Sequence, residues 1–132
     1  MPLHLLVVTP ERKVAETEAD EVQLPGSEGY LGVLPGHAAL ITLLKTGVLS
    51  YRGAGSSDAL AISTGFAEIA DDRVSVLADS AERAGEIDTA AAERERVRAE
   101  EEMKTAGVDT LDEIRGRFEL AQARLAAARR PS

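Results

Sequence analysis

No cysteine and no tryptophan occur in the 132 residues. Disulfides and thiolate chemistry are therefore excluded, and a reducing cytosol suits the chain. Aromatic residues are scarce, limited to Tyr30, Tyr51, Phe66 and Phe118. That leaves no set of stacking platforms, and a net charge of −8 leaves no basic stripe, so general nucleic-acid binding is disfavoured. No apolar run approaches the ~18 residues of a spanning helix. The opening MPLHLLVVTPER lacks the basic lead and the length of a secretory signal. A soluble, intracellular, acidic protein is expected.

What is present divides near Ala84-Gly85. Before this point glycine, proline and short β-rich runs dominate; after it the chain is rich in Ala, Glu and Arg. Strands are expected near Leu3–Val8, Glu21–Leu24, Leu31–Leu34, Ala39–Leu44, Val48–Arg52, Leu60–Ser63, Phe66–Ala70 and Val74–Leu77. Turns are expected at Pro25-Gly26, Pro35-Gly36, Gly53–Asp58 and Asp71-Asp72. Gly29 and Gly32 are expected to allow positive φ or close backbone approach. This spacing favours an antiparallel sandwich or flattened barrel, with no room for the crossover helices of a parallel sheet.

The second part splits at Gly107. Asp88 is a candidate N-cap for a helix over residues 89–105. Thr110-Leu111-Asp112-Glu113 has the capping-box spacing for a second helix, running to about Arg130, where Pro131 stops it. Leu111, Ile114, Phe118, Ala121, Leu125 and Ala128 form a narrow seam, answered on the first helix by Ala92, Ala99, Met103 and Ala106. An antiparallel helical hairpin follows. Its four large seam residues, at ~1.5–3 kcal/mol each when fully buried, leave only a few kcal/mol after ordering costs. Such a hairpin can change partners. Residues 111–132 carry a net +2 on an otherwise acidic chain, through Arg115, Arg117, Arg124, Arg129 and Arg130. They form either a contact for an acidic partner or a solvated face favourable to the helix dipole.

Catalytic constellations are missing. The glycines of residues 26–36 lack the Gly-Lys-Ser/Thr ending of a phosphate loop. His4 and His37 stand alone, without metal-ligand spacing. Ser63 and Thr64 have no nearby base. Asp71-Asp72 reads as a turn rather than a calcium site, and Glu100 and Glu102 as a solvated helix face.

Residues 24–47, LPGSEGYLGVLPGHAALITLLKTG, resemble the signature stretch of the epsilon subunit of the bacterial F-type ATP synthase. VVTPERKV at 7–14, Ser63–Glu68, Val74–Asp79 and the Glu86-Ile87-Asp88 junction extend the resemblance over nearly the whole chain. It implies an α+β protein: an N-terminal antiparallel β-sandwich of about ten strands (1–85) and a C-terminal antiparallel α-helical hairpin (86–132). It also implies a non-catalytic central-stalk subunit, peripheral on the cytoplasmic face of the bacterial plasma membrane. The sandwich would meet the gamma subunit and the polar loops of the c-ring, helping to couple ion-driven rotation to ATP synthesis. The hairpin would swing out to the alpha/beta catalytic subunits and inhibit ATP hydrolysis.

Residue by residue, Ser27, Glu28, Gly29 and Tyr30 match the c-ring-facing turn, with Tyr30 where relatives often have a polar residue. Thr9, His37 and Thr42 match gamma-facing positions, and Ala39 replaces the pattern's usual proline. Arg115, Arg117 and Arg124 are the expected hairpin contacts to an acidic segment, with Gly85 as hinge. A nucleotide motif found in some members survives here as Glu82, Ile87 and Asp88, but its arginine position is Ala91. A methyl group cannot neutralise phosphate, so ATP binding is expected to be weak or absent. No metal or other cofactor is expected. A stand-alone β-sandwich binding module with a helical dimerisation tail is the competing reading; a metal-dependent enzyme is a distant third.

Overall fold

A computed structural model describes residues 2–53 and 55–129. The N-terminal part forms strands β1 (Leu3–Val8), β2 (Lys13–Ala19), β3 (Glu21–Gly26), β4 (Gly29–Val33) and β5 (Leu40–Leu44). These are followed by β6 (Gly47–Gly53), β7 (Ser56–Ile62), β8 (Gly65–Ala70), β9 (Arg73–Ala78) and β10 (Ala81–Arg83). A 3-10 turn (Ala84–Glu86) leads into helices α1 (Thr89–Met103) and α2 (Val108–Arg129).

All ten strands belong to one sheet in the order β10-β7-β6-β3-β5-β8-β9-β1-β2, with β4 paired to β3. The sheet encloses Leu3, Leu5, Val7, Leu24, Leu49, Leu60 and their neighbours in a single core. Alternation builds it: in β1, Leu3, Leu5 and Val7 are fully buried while His4, Leu6 and Val8 are half exposed. The expectation of a wholly antiparallel sheet needs one correction, because β1 pairs with β9 in parallel. The crossover needs no helix: the strands between β1 and β9 carry the chain round.

β2 and β10 were not among the expected strands. The β2 sequence KVAETEA carries charge on its outer face and pairs with a strand on one side only, β1. Two turns also shift. Pro25 and Gly26 lie inside β3, which pairs through Gly26 with Gly29, so the turn is Ser27-Glu28. Gly53 pairs with Ser56, so β7 starts inside the expected Gly53–Asp58 loop. The Asp71-Asp72 turn is confirmed, both residues at positive φ (52° and 60°) as a tight hairpin turn demands. Gly29 is at φ 130° as expected, whereas Gly32 needs neither positive φ nor close approach.

Asp88 caps α1, its carboxylate accepting from Ala91 N at 3.0 Å. The Thr110–Glu113 capping box does not form. α2 begins two residues earlier, and the Thr110 hydroxyl instead donates to Gly107 O at 3.4 Å. Arg130 and Pro131, the expected end of this helix, lie outside the described residues. Along the expected seam Ile114, Ala121 and Leu125 are buried, as are Ala92 and Ala99 on α1. A second buried stripe was not foreseen: Ala123 and Ala127 of α2 pack with Val48, Ala59 and Ala61 on the outer surface of β6 and β7, beside Ile87.

Candidate functional site

The most conspicuous surface is apolar and uncovered. Cross-strand register places Leu43 opposite Phe66, Phe66 opposite Leu77, and Leu77 opposite Val8. Two residues along the same strands, Ile41, Glu68, Ser75 and Leu6 form the next row on that face. Leu43 is 67% exposed, Ile41 68%, Phe66 42% and Leu77 41%. The opposite side of these strands is core: Ala67, Val76 and Val7 are buried. Monomeric soluble proteins rarely leave contiguous apolar area of this kind uncovered unless it meets another molecule. The sequence analysis missed this face. The signal was the run Leu40-Ile41-Thr42-Leu43-Leu44, apolar on both alternating faces in a sheet that has one core.

The β3–β4 tip adjoins this row. Ser27 N donates to Leu43 O at 2.9 Å, and Lys45 N donates to Pro25 O at 2.9 Å. Within the hairpin Gly26 permits the close approach of Gly29, since a Cβ there would lie 2.7 Å from Gly29 O. Ser27 and Glu28 stand exposed at the tip, and Gly29 turns the chain. Tyr30 exposes its ring, while its hydroxyl accepts a 3.4 Å hydrogen bond from Val48 N.

Thr9, His37 and Thr42 are not brought together. Thr9 follows Val8 at the Leu77 end of the sheet, where its hydroxyl accepts from Glu11 N and Arg12 N and closes the β1–β2 turn. His37 lies at the other end, its Nδ1 donating to Ala38 O at 2.7 Å. Thr42 is half-buried in the inward row of β5, opposite Ala67, on the reverse face from Ile41 and Leu43.

The hairpin arginines also separate. Arg117 bridges the helices, bonding Glu102 at 2.9 Å and Glu95 at 3.0 Å. Its hydrogen bond holds the Glu102 carboxyl below its ordinary range, and both carboxylates raise the Arg117 guanidinium. Arg124 binds Glu82 of β10 at 2.7 Å. Among the described residues Arg115 pairs only with Asp112 in its own helix, and two residues' separation puts it about 200° round from Arg117.

Residues 2–84 match the family model described as the beta-sandwich domain of the ATP synthase delta/epsilon chain. The ATP synthase epsilon chain of Solibacter usitatus is 45% identical over 128 residues, covering 96% of this chain and 95% of that one. That of Koribacter versatilis is 48% identical over 101 residues, covering 76% and 71%. The chain belongs to the ATP synthase delta/epsilon family. Its fold is shared with a chain of the Euglena gracilis mitochondrial ATP synthase structure containing OSCP, F1 and c-ring. There the TM-score is 0.83 at 22% identity, covering 96% of this chain and 81% of the other. A chain of the Tetrahymena thermophila mitochondrial ATP synthase central stalk and c-ring matches at TM-score 0.62 and 15% identity, over 97% of both.

Within this family member the four nucleotide-motif positions have structural tasks. Glu82 is paired with Arg124, Ile87 packs on the β6–β7 surface, Asp88 caps α1, and Ala91 supplies the capped amide. Among the described residues no three metal-ligating side chains cluster, and no helix is long and apolar enough to cross a membrane.

Proposed function

We propose that this family member is the epsilon-type subunit of a bacterial F-type ATP synthase, working without catalysis in the rotating central stalk. The observation that carries the proposal is the uncovered row Leu43, Phe66 and Leu77 with Ile41 beside it. A rotor subunit needs a permanent grip on its shaft, and burial of apolar surface supplies grip without directional chemistry. The gamma subunit is the partner assigned to this face, with Thr9 and His37 at its two ends and Thr42 behind it. The adjoining tip, Ser27-Glu28-Gly29-Tyr30, is assigned to the polar loops of the c-ring. The Tetrahymena neighbour belongs to a central stalk and c-ring assembly, which supports this reading.

The hairpin is assigned a regulatory role. Docked, Arg117 and Arg124 are committed to Glu102, Glu95 and Glu82. Extended, Arg124 and Arg115 are free to meet acidic segments of the alpha/beta subunits and slow ATP hydrolysis. ATP itself is not the proposed signal, because Ala91 offers no cation and Glu82 is already paired. Its proposed location is accordingly peripheral, at the cytoplasmic face of the bacterial membrane.

The competing dimerisation-tail reading loses its footing. The large seam of α2 is covered by α1, and its alanine stripe is covered by the sandwich. The test is binding to a catalytic head complex lacking this subunit, with ATP hydrolysis recorded. The full chain should bind and slow hydrolysis; Phe66→Asp should lose binding while remaining folded. Equal binding by both would refute the assignment of this face.

A further inference from the structure

Among the described residues β2, β10 and β4 each pair with a strand on one side only, and these edges are not alike. β2 carries Lys13, Glu16 and Glu18, and β10 is three residues long with Glu82 and Arg83 among them. Charge and brevity of this kind guard an edge against adding a further strand. β4, Gly29-Tyr30-Leu31-Gly32-Val33, contains no charged residue.

The ladder fixes which backbone groups of β4 are left over. Ser27 N donates to Leu43 O and Lys45 N to Pro25 O, so Pro25 turns its carbonyl away from β4 and Gly26 turns towards it. Antiparallel pairs alternate in this respect. Gly29, Leu31 and Val33 therefore bond to β3, opposite Gly26, Leu24 and Val22. Tyr30 and Gly32 direct N–H and C=O outwards, and among the described residues no strand lies there to take them. The side chains of these two residues differ in a matching way. Tyr30 is 61% exposed, and Gly32, two residues on, leaves the same face of the strand empty. Nothing within the chain demands that glycine: its φ is not positive, and an added Cβ would meet only Glu21 Oε2 at 3.9 Å.

We infer that β4 pairs with β4 of a second copy of this chain, antiparallel about a two-fold axis at Leu31. In that register Tyr30 of each copy lies opposite Gly32 of the other, and their outward groups form four backbone hydrogen bonds. Each Tyr30 ring covers the opposing glycine, a cross-strand match that compensates for the missing side chain. The two Leu31 side chains, each half-buried against its own core, meet on the inner face. A foreign strand would have to bring free backbone groups and a side-chain gap at this same spacing; β4 brings both itself. Strands of this length bury far less than the ~1,200–2,000 Å² of a stable interface, so the pair is weak. Half-association is expected at about 0.1–1 mM. Two copies of net charge −8 repel, so rising salt should strengthen the pair. A paired tip cannot meet the c-ring at the same time, so pairing belongs to chains outside the stalk. That consequence rests on the tip's assignment to the c-ring; the pairing itself does not.

Because the chain has no cysteine, a single introduced one reports only contacts between copies. Leu31→Cys sits on the proposed axis, where a pair without mutual hydrogen bonds brings its Cα atoms to ~4.5 Å, within disulfide reach. In the isolated full chain at about 0.5 mM, Leu31→Cys should oxidise to a covalent dimer about tenfold faster than Thr17→Cys on β2. The weight-average mass of the parent, by sedimentation equilibrium, should rise with concentration. Gly32→Pro removes one outward N–H per copy without touching the β3 ladder, and Gly32→Gln fills the seat of the Tyr30 ring while keeping that N–H. Each should slow the cross-linking of Leu31→Cys about tenfold with circular dichroism unchanged. The inference is overturned by a parent that stays monomeric up to about 1 mM. Cross-linking equally fast from Thr17→Cys, or indifferent to a folded Gly32 variant, overturns it as well. Failure of the full chain to bind the head complex bears instead on the stalk reading and leaves these measurements untouched.

Discussion

Asp72 accepts a 2.7 Å hydrogen bond from Gly36 N, tying the β8–β9 turn to the loop that carries His37. Asp72 does this at φ 60°, a conformation that suits Asp and Asn better than most L-residues. Asp72→Ala removes the acceptor and keeps a Cβ in the left-handed region. It should cost about 1–3 kcal/mol in urea unfolding. Asp72→Asn keeps both an oxygen acceptor and tolerance of that φ, so its loss should be under about 1 kcal/mol. Equal losses would mean that the carboxylate charge, not the hydrogen bond, holds the loop.

The exposed row and the core should answer to substitution in opposite ways. Phe66→Asp changes a side chain 42% exposed to solvent, so isolated stability should move by no more than about 0.5 kcal/mol. Leu49→Ala empties part of the fully buried core and should cost about 2–5 kcal/mol. Thermal unfolding reads the first number and binding to the head complex reads its consequence. A Phe66→Asp chain destabilised as strongly as Leu49→Ala would make Phe66 a core residue rather than a docking one.

Most of this fold is written in local patterns. Alternation in Leu3–Val8 and Arg73–Ala78 marks the strands, Asp71-Asp72 marks a hairpin turn, and Asp88 marks the start of α1. Other features were invisible for physical reasons. β2 is charged on its outer face and lacks a run of apolar residues. The parallel pairing of β1 with β9 is a long-range outcome that no local signal encodes. In α2 the alanines read as helix propensity, yet Ala123 and Ala127 form the buried contact with the sandwich. The arginines were legible as a charged group. Their division into a bridge between the helices, a tie to β10 and an exposed residue depends on which acids the fold brings near.

Two glycines should separate backbone necessity from apparent flexibility. A Cβ on Gly65 would lie 2.0 Å from Leu77 O and 2.7 Å from Ala78 Cα, so β8 and β9 must part to admit it. Gly65→Ala should therefore cost several kcal/mol or prevent folding, because the clash is with backbone. At Gly85 an added Cβ meets nothing within 4 Å, and φ is not positive. Gly85→Ala should be neutral or stabilising by about 0.4–1 kcal/mol, through loss of unfolded-chain entropy. Thermal unfolding checks both, and a Gly85→Ala loss as large as that of Gly65→Ala would show that the turn needs the glycine.

Acid should loosen the hairpin through Glu102. Its hydrogen bond from Arg117 holds its pKa below the ordinary 4.5. A carboxylate with a depressed folded-state pKa adds stability that is fully present above the unfolded value. That stability disappears as pH falls through the lower, folded value. The helical signal of the parent chain should therefore weaken as pH drops below 4.5, and Glu102→Gln should start less stable at neutral pH and show a shallower decline. Glu93, held down by Arg96 within α1, titrates in both chains, so the difference between the two profiles isolates the Arg117 bridge. Because Glu102 is 41% exposed, salt at about 1 M, where screening acts over ~3 Å, should shrink that difference. Parallel profiles for the two chains would show that the α1–α2 seam holds by its apolar residues alone.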